Sequence, residues 1–299
     1  MVEKKPNFIV IGAMKSATTS LYTYLKQHPD IFMTKIKEPM FFNNYKQDVD
    51  YKILGNKSKK LKTLEEYLLM FEDVHDEKAI GEASPAYIYN KKSPQLIKEI
   101  LPNVKIIAIL RQPIDRAYSN YLHVVSADKE NSNSFEESLE KEKARINEKW
   151  SPLYHYIEKG YYSEQIQRYY DLFPSENIKV YLFEDVVKKP KDTLKDIFKF
   201  LEVDENVDID TSKKSNVSGT PNGFFGFILK KMRYYNLMPK FVISDYLPSF
   251  IVNFIFKSVY KKPEKLSSEK RKGLTDKYFK EEIQKLERLI DRDLSKWLV

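Results

Sequence analysis

Up to Leu201, short runs that are almost wholly apolar take turns with segments whose apolar residues recur every three or four positions. Phe8–Gly12 (FIVIG), Val104–Leu110 (VKIIAIL) and Ile178–Phe183 have no polar alternation. Such runs predict strands covered on both faces. Ile31–Thr34 and Ala79–Gly81 predict two shorter strands. The intervening segments carry helical periodicity. Thr18–Gln27 has Leu21, Tyr22 and Leu25 on one face and stops at His28-Pro29. Pro94–Leu101 aligns Leu96, Ile97, Ile100 and Leu101, and Ile114–Ser126 follows the second long strand. Ser163–Phe173 aligns Ile166, Tyr169, Tyr170 and Phe173, and Lys191–Leu201 aligns Leu194, Ile197, Phe198 and Leu201. Glu65–Phe71 predicts a short helix, and the charged Asn131–Lys149 a helical excursion over the surface.

Strand and helix in alternation predict an α/β fold: one P-loop-like domain, its central parallel sheet flanked by helices. Ligands of such sheets bind beyond the carboxyl ends of the strands. That rule marks the loops Ala13–Thr19, Lys35–Pro39, Glu82–Tyr87 and Arg111–Arg116. Beyond Leu201 the pattern changes to an acidic stretch at 204–210, a basic loop at 213–223 and an aromatic-rich stretch at 224–260. Ser267–Leu298 predicts a long helix or a helix pair with Phe279, Ile283, Leu286 and Ile290 in step. Residues 1–222 are therefore read as the α/β domain and 223–299 as a C-terminal helical extension packed on it.

The chain has 299 residues, 42% of them hydrophobic and 14% aromatic, enough for a large core. It has no cysteine, which excludes disulfides, zinc–thiolate sites and a cysteine nucleophile, and fits a cytoplasmic setting. No apolar window is long enough to span a membrane. The nearest, Leu237–Tyr260, is interrupted by Lys240, Asp245 and two prolines. It is read as core, with peripheral contact on a membrane as the alternative. A net charge of +8 points to an anionic partner. No stripe of basic residues interleaved with aromatics favours nucleic acid.

The first strand runs through Gly12-Ala-Met-Lys-Ser-Ala-Thr-Thr-Ser20 into a helix. Helix N-termini attract anions through unpaired N–H groups and a positive dipole end. Lys15 adds a full charge, and Thr18, Thr19 and Ser20 add hydroxyls, which makes a phosphate cradle. The ATP/GTP loop G-x-x-x-x-G-K-[ST] is not matched: from Gly12, its second glycine and lysine fall on Ala17 and Thr18. The strand ending at Leu110 runs into Arg111-Gln-Pro-Ile-Asp-Arg-Ala-Tyr-Ser119. An arginine there can grip a phosphate in bidentate fashion, with Ser119 two turns on reaching the same anion.

Lys15-Ser-Ala-Thr-Thr-Ser-Leu21 resembles the 5′-phosphosulfate loop of sulfotransferases that use 3′-phosphoadenosine 5′-phosphosulfate (PAPS). It is most similar to the heparan sulfate N- and glucosaminyl 3-O-sulfotransferase type. The family usually has glycine where this chain has Ala17. Arg-x-Pro-x-x-Arg-Ala-Tyr-Ser is similar to the family's 3′-phosphate motif. The resemblance, which spans about Pro6–Asn222, implies PAPS as donor, adenosine 3′,5′-bisphosphate as product, and no metal. It places the nucleotide on Lys15, Ser16, Ala17, Thr18, Thr19 and Ser20, with Arg111 and Ser119 on the 3′-phosphate. Lys214, in a basic loop like the one the family folds over the nucleotide, joins them. Lys37-Glu38, before Phe41-Phe42, resembles the segment carrying the family's presumed base. This makes Glu38 the general base, with Lys37 on the sulfonate or substrate. His123, four residues after Ser119, matches the offset of an N-sulfotransferase histidine near the acceptor. Glu82-Ala-Ser-Pro-Ala-Tyr87 resembles a family strip that has lysine where this chain has Ala83. The implied activity is sulfuryl transfer to a hydroxyl or amine of a carbohydrate or glycolipid acceptor. A P-loop kinase and a non-catalytic polyanion-binding module are the alternatives.

Overall fold

The computed structural model describes residues 4–47, 51, 61–212, 220–221, 260–261 and 265–299. The predicted strands are all present. They are β1 (Phe8–Gly12), β2 (Ile31–Met33), β3 (Ala79–Ala83), β4 (Lys105–Leu110) and β5 (Ile178–Leu182), joined in one sheet in the order β2-β3-β1-β4-β5. Every pairing in that sheet is parallel. The α/β expectation is borne out.

The strands lack polar alternation because both faces are covered. Ile9, Ile11, Ile106, Ala108 and Leu110 enter one core; Phe8, Val10, Ile107 and Ile109 enter the other. The second core is completed by Leu21, Tyr22 and Leu25 of α1 (Thr18–Leu25) and by Leu194, Ile197 and Phe198 of α9 (Pro190–Leu201). On the first face lie α3 (Leu64–Leu68), α4 (Ser93–Ile100), α5 (Pro113–Ser126) and α7 (Tyr162–Tyr170).

Three elements depart from the expectation. Residues 131–149 are not a surface excursion. There α6 (Phe135–Asn147) buries Phe135, Leu139, Glu142 and Arg145. Two short helices, α2 (Phe41–Asn44) and α8 (Phe183–Lys188), were not anticipated because each is little more than one turn and has no period to read. The C-terminal segment is a pair, α10 (Ser268–Tyr278) and α11 (Lys280–Ile290), broken at Phe279. Phe279, Ile283 and Leu286 join the first core. Thr220–Pro221 pairs antiparallel with Tyr260–Lys261. The stretch 222–259 lies outside the described residues.

The chain leaves β1 toward β2 and β3 on one side of the sheet and returns to β4 and β5 on the other. The strand order therefore reverses at β1, and the crevice beyond its carboxyl end is where this architecture binds ligands.

Candidate active site

The loop after β1 is held on β4 by the Ala13 N–H, which donates to the Ile109 carbonyl at 2.7 Å. Lys15 and Ala17 both adopt left-handed backbone, with φ of 67° and 66°. The twist turns the chain into α1, where Leu21 N–H donates to the Ala17 carbonyl at 3.0 Å. Ala17 has no side-chain oxygen, so the first turn of α1 has no side-chain cap. Ser16 is 0% exposed, and its hydroxyl has no partner among the described residues. Buried hydroxyls are ordinarily satisfied. An orphan at a bare helix N-terminus, beside a lysine, fits an anion.

Arg111 comes to this loop from the end of β4. Its Nη1 donates to the Lys15 carbonyl at 3.1 Å, and its guanidinium lies 4.6 Å over the Phe183 ring. Gln112 fixes the turn below it. The Gln112 side chain caps α5 by accepting from Asp115 N–H at 2.7 Å. Its Nε2 donates to Thr275 Oγ1 at 2.7 Å and to the Trp297 carbonyl at 3.2 Å. The C-terminal helix pair thus buttresses the arginine loop. Asp115 pairs with Arg271. Ser119 lies partly buried on α5, and His123 is exposed one turn further on.

The third loop carries Lys37 and Glu38, which form an ion pair with each other. Glu38 N–H donates to the Ala83 carbonyl at 3.2 Å, and Met40 N–H donates to Ser84 Oγ at 3.1 Å. The loop is anchored from the other end by Phe41 and Phe42, both fully buried, with Phe41 stacked 4.4 Å from Tyr67. Glu38 and Met40 are left-handed, with φ of 61° and 53°. Beneath them lies Glu82, 0% exposed. Its Oε1 accepts from Tyr87 at 2.7 Å and Tyr67 at 3.3 Å, and its Oε2 accepts from Ser84 at 2.7 Å. Burial pushes the Glu82 carboxyl up to about 7, the three hydroxyls pull it back, and the Glu38 charge adds to the rise.

These charged groups feel one another. Burial lowers the Lys15 pKa, Arg111 and Lys37 lower it further, and Glu38 raises it. Although His123 is accessible to solvent, partial desolvation lowers its pKa, as do Lys15 and Lys129, against the pull of Glu38. Burial also lowers Arg111. Two crowded cations at a bare helix N-terminus are a site prepared for a multiply charged anion. Lys15, Lys37, Glu38, Arg111 and His123 are thus brought into one crevice, along with the hydroxyl loop. Ala83 is fully buried and presents no charge there. Lys214 lies outside the described residues.

Sequence reasoning missed Phe183, Gln112 and the Glu82 network. Phe183 follows β5 directly, so the carboxyl-end rule would have found it. Nothing local marks Gln112 as a brace, because the partners of its Nε2, Thr275 and Trp297, are more than a hundred residues away.

The sulfotransferase domain family matches residues 5–222. A crystal structure of a sulfotransferase from Alicyclobacillus acidocaldarius superposes with a TM-score of 0.75 at 31% identity, covering 98% of each chain. Among curated relatives, the membrane-associated sulfotransferase kil1 of Dictyostelium discoideum is 39% identical over 119 residues, 39% of this chain and 22% of the relative. The human bifunctional heparan sulfate N-deacetylase/N-sulfotransferase 3 is 27% identical over 210 residues, 67% of this chain and 23% of the relative. The mouse heparan sulfate glucosamine 3-O-sulfotransferase 5 is 26% identical over 206 residues, 67% of this chain and 54% of the relative. The chain thus spans about half, or less, of the length of these curated relatives.

Proposed function

The chain belongs to the sulfotransferase domain family, and on that premise we propose that it moves a sulfuryl group from PAPS to a hydroxyl or amine of a carbohydrate acceptor. The observation that carries this reading is the contact between the two nucleotide motifs: Arg111 Nη1 on the Lys15 carbonyl at 3.1 Å. One doubly phosphorylated nucleotide then meets both. The 5′ end lies on the hydroxyl loop, where the orphan Ser16 hydroxyl and the uncapped helix receive phosphate oxygens. Arg111 and Ser119 take the 3′-phosphate, and Lys214 is assigned to it by its place in the motif pattern alone.

The transfer is a direct displacement. Glu38 accepts the proton of the acceptor O–H or N–H, and the freed electron pair forms the bond to sulfur. The bond from sulfur to the bridging oxygen of the 5′-phosphate breaks, and its electrons leave on adenosine 3′,5′-bisphosphate. Lys15 donates to that bridging oxygen as negative charge builds on it. Lys37 draws on the sulfonate oxygens. His123 stands at the rim on the acceptor side, where its lowered pKa keeps it neutral and able to accept a hydrogen bond at neutral pH.

The heparan sulfate relatives support a carbohydrate acceptor. The small, buried Ala83 argues for an acceptor needing less anchoring charge than theirs. Calorimetry with adenosine 3′,5′-bisphosphate in the absence of magnesium tests the donor assignment. Binding is expected. No heat with that nucleotide, or binding only of ATP with magnesium, overturns the reading. Transfer of radiolabelled sulfate from PAPS to a panel of oligosaccharides, polysaccharides and glycolipids then identifies the acceptor.

A further inference from the structure

Against Ala13 and Met14, at the start of the phosphate loop, is a small cavity of about 10 Å³ that none of Ser16–Ser20 lines. That is room for a single water-sized occupant. Its walls include Ala13 and Met14 of the loop, Tyr89, Gln165 and two buried cations, Arg116 and Lys159. Arg116 is 0% exposed. Its Nη2 donates to the Tyr156 carbonyl, but Nε and Nη1 have no partner among the described residues. Lys159 is 7% exposed; among the described residues its Nζ donates only to the Met14 sulfur, at 3.4 Å, and it lies 5.7 Å from the Tyr89 ring centroid. Thioether sulfur is a weak acceptor for an ammonium. Uncompensated buried charge is costly, so such groups are normally paired.

Among the described residues, the carboxylate that acts on both cations is Glu142. Its oxygens are already taken by three backbone N–H groups: Tyr156 and Ile157 on Oε2, and Glu158 on Oε1. Two cations against one carboxylate leave a single positive charge beside a one-atom space. Burial, then Arg116, push the Lys159 pKa down to about 7, so the ammonium is itself poised to be lost unless a negative charge joins it.

We propose that this cavity binds one small monovalent anion of the halide class, held by Arg116 Nε and Nη1 and by Lys159 Nζ. Chloride supplies the missing charge and is compact enough for the space, which phosphate and sulfate are not. The site is separate from the nucleotide crevice, though Ala13 and Met14 are shared walls. An occupant there braces the loop that carries Lys15.

The test is crystallography of the full chain in sodium bromide, with data collected at the bromine absorption edge. An anomalous peak between Arg116 and Lys159 is expected. Bromide peaks only on the surface, with water-like density in the cavity, overturn the proposal. In solution, the melting temperature at constant ionic strength is expected to rise with chloride or bromide replacing gluconate; equal melting in all three overturns it. Lys159→Met keeps the length of the stem and removes the charge, and should abolish the buried bromide peak. If that variant does not fold, the two wild-type measurements still decide.

Discussion

Ala17 shows at a single residue what the phosphate loop demands of its backbone. Its φ of 66° is left-handed, a conformation glycine adopts freely and alanine does not. Ala17→Gly removes a steric cost of roughly 1–2 kcal/mol, against about 0.4–1 kcal/mol of extra freedom given to the unfolded chain. We therefore predict a gain of up to about 1 kcal/mol in urea unfolding, with nucleotide affinity retained. A loss of stability would mean that the Ala17 methyl matters more in packing than its backbone costs. The chemistry divides among other residues. Lys15→Ala and Glu38→Gln are each expected to lower kcat by about a hundredfold or more, the range typical of lost transition-state donors and general bases. Glu38→Gln should leave affinity for adenosine 3′,5′-bisphosphate within a few fold. Arg111→Ala should weaken that affinity while keeping the turnover of saturated enzyme. Full activity in Lys15→Ala would end the assignment. Most of this site was legible because its residues come in short contiguous motifs. Glu82 was not recognised as the support of Glu38, because Ser84 and Tyr87 turn back onto it only in the loop after β3, and Tyr67 reaches it from the separate helix Leu64–Leu68.

The elements were legible in proportion to their length and burial. The β1 and β4 strands gave almost wholly apolar runs, and α9 showed four apolar positions in register, so their existence and type followed directly. The α6 helix misled because its buried face is partly polar: Glu142 and Arg145 enter the interior by pairing with backbone N–H groups and with Glu130. Charge in sequence was read as exposure, whereas burial with satisfied partners was the outcome. The α10–α11 pair was visible, but its task was not. It closes over Gly160 and locks Gln112 in the arginine loop. Two substitutions separate packing from locking. Phe279→Ala is expected to cost about 3–5 kcal/mol of stability, as for other fully buried phenylalanines. Gln112→Ala, which removes the α5 cap, is expected to cost about 2 kcal/mol. It should also weaken nucleotide binding severalfold by calorimetry, since Arg111 loses the turn that aims it. Unchanged nucleotide affinity in folded Gln112→Ala would confine the helix pair to a packing role.

At the scale of the molecule, four buried titrating groups predict an unusual stability curve. Glu82 and Glu142 are raised by burial from 4.5 to about 7 and about 6. In each case the unfolded chain releases its proton first as pH rises, so stability falls across that window. His155 is lowered by burial from 6.5 to about 4, so over that range the unfolded chain holds the extra proton and stability rises with pH. Lys159 is lowered from 10.5 to about 7 and gives a rise above neutrality for the same reason. The carboxyls outweigh the histidine between pH 4.5 and 6, and Glu82 acts alone just below 7, which puts a shallow minimum near neutral pH. Urea midpoints from pH 5 to 9 should trace that minimum. In Glu82→Gln the acid-side fall, about 3 kcal/mol for this one group, should largely vanish, since the amide oxygen can still accept from the two tyrosines and its NH2 can donate to Ser84 Oγ, without ionising. The alkaline limb reports separately on the cavity at the start of the phosphate loop. An anion beside Lys159 favours its charged form and moves its pKa back up. The rise above pH 7 should therefore be steep in gluconate and flattened in chloride. Identical alkaline limbs in the two salts would leave Lys159 without an anionic partner, and the buried charge would then be relieved by deprotonation alone.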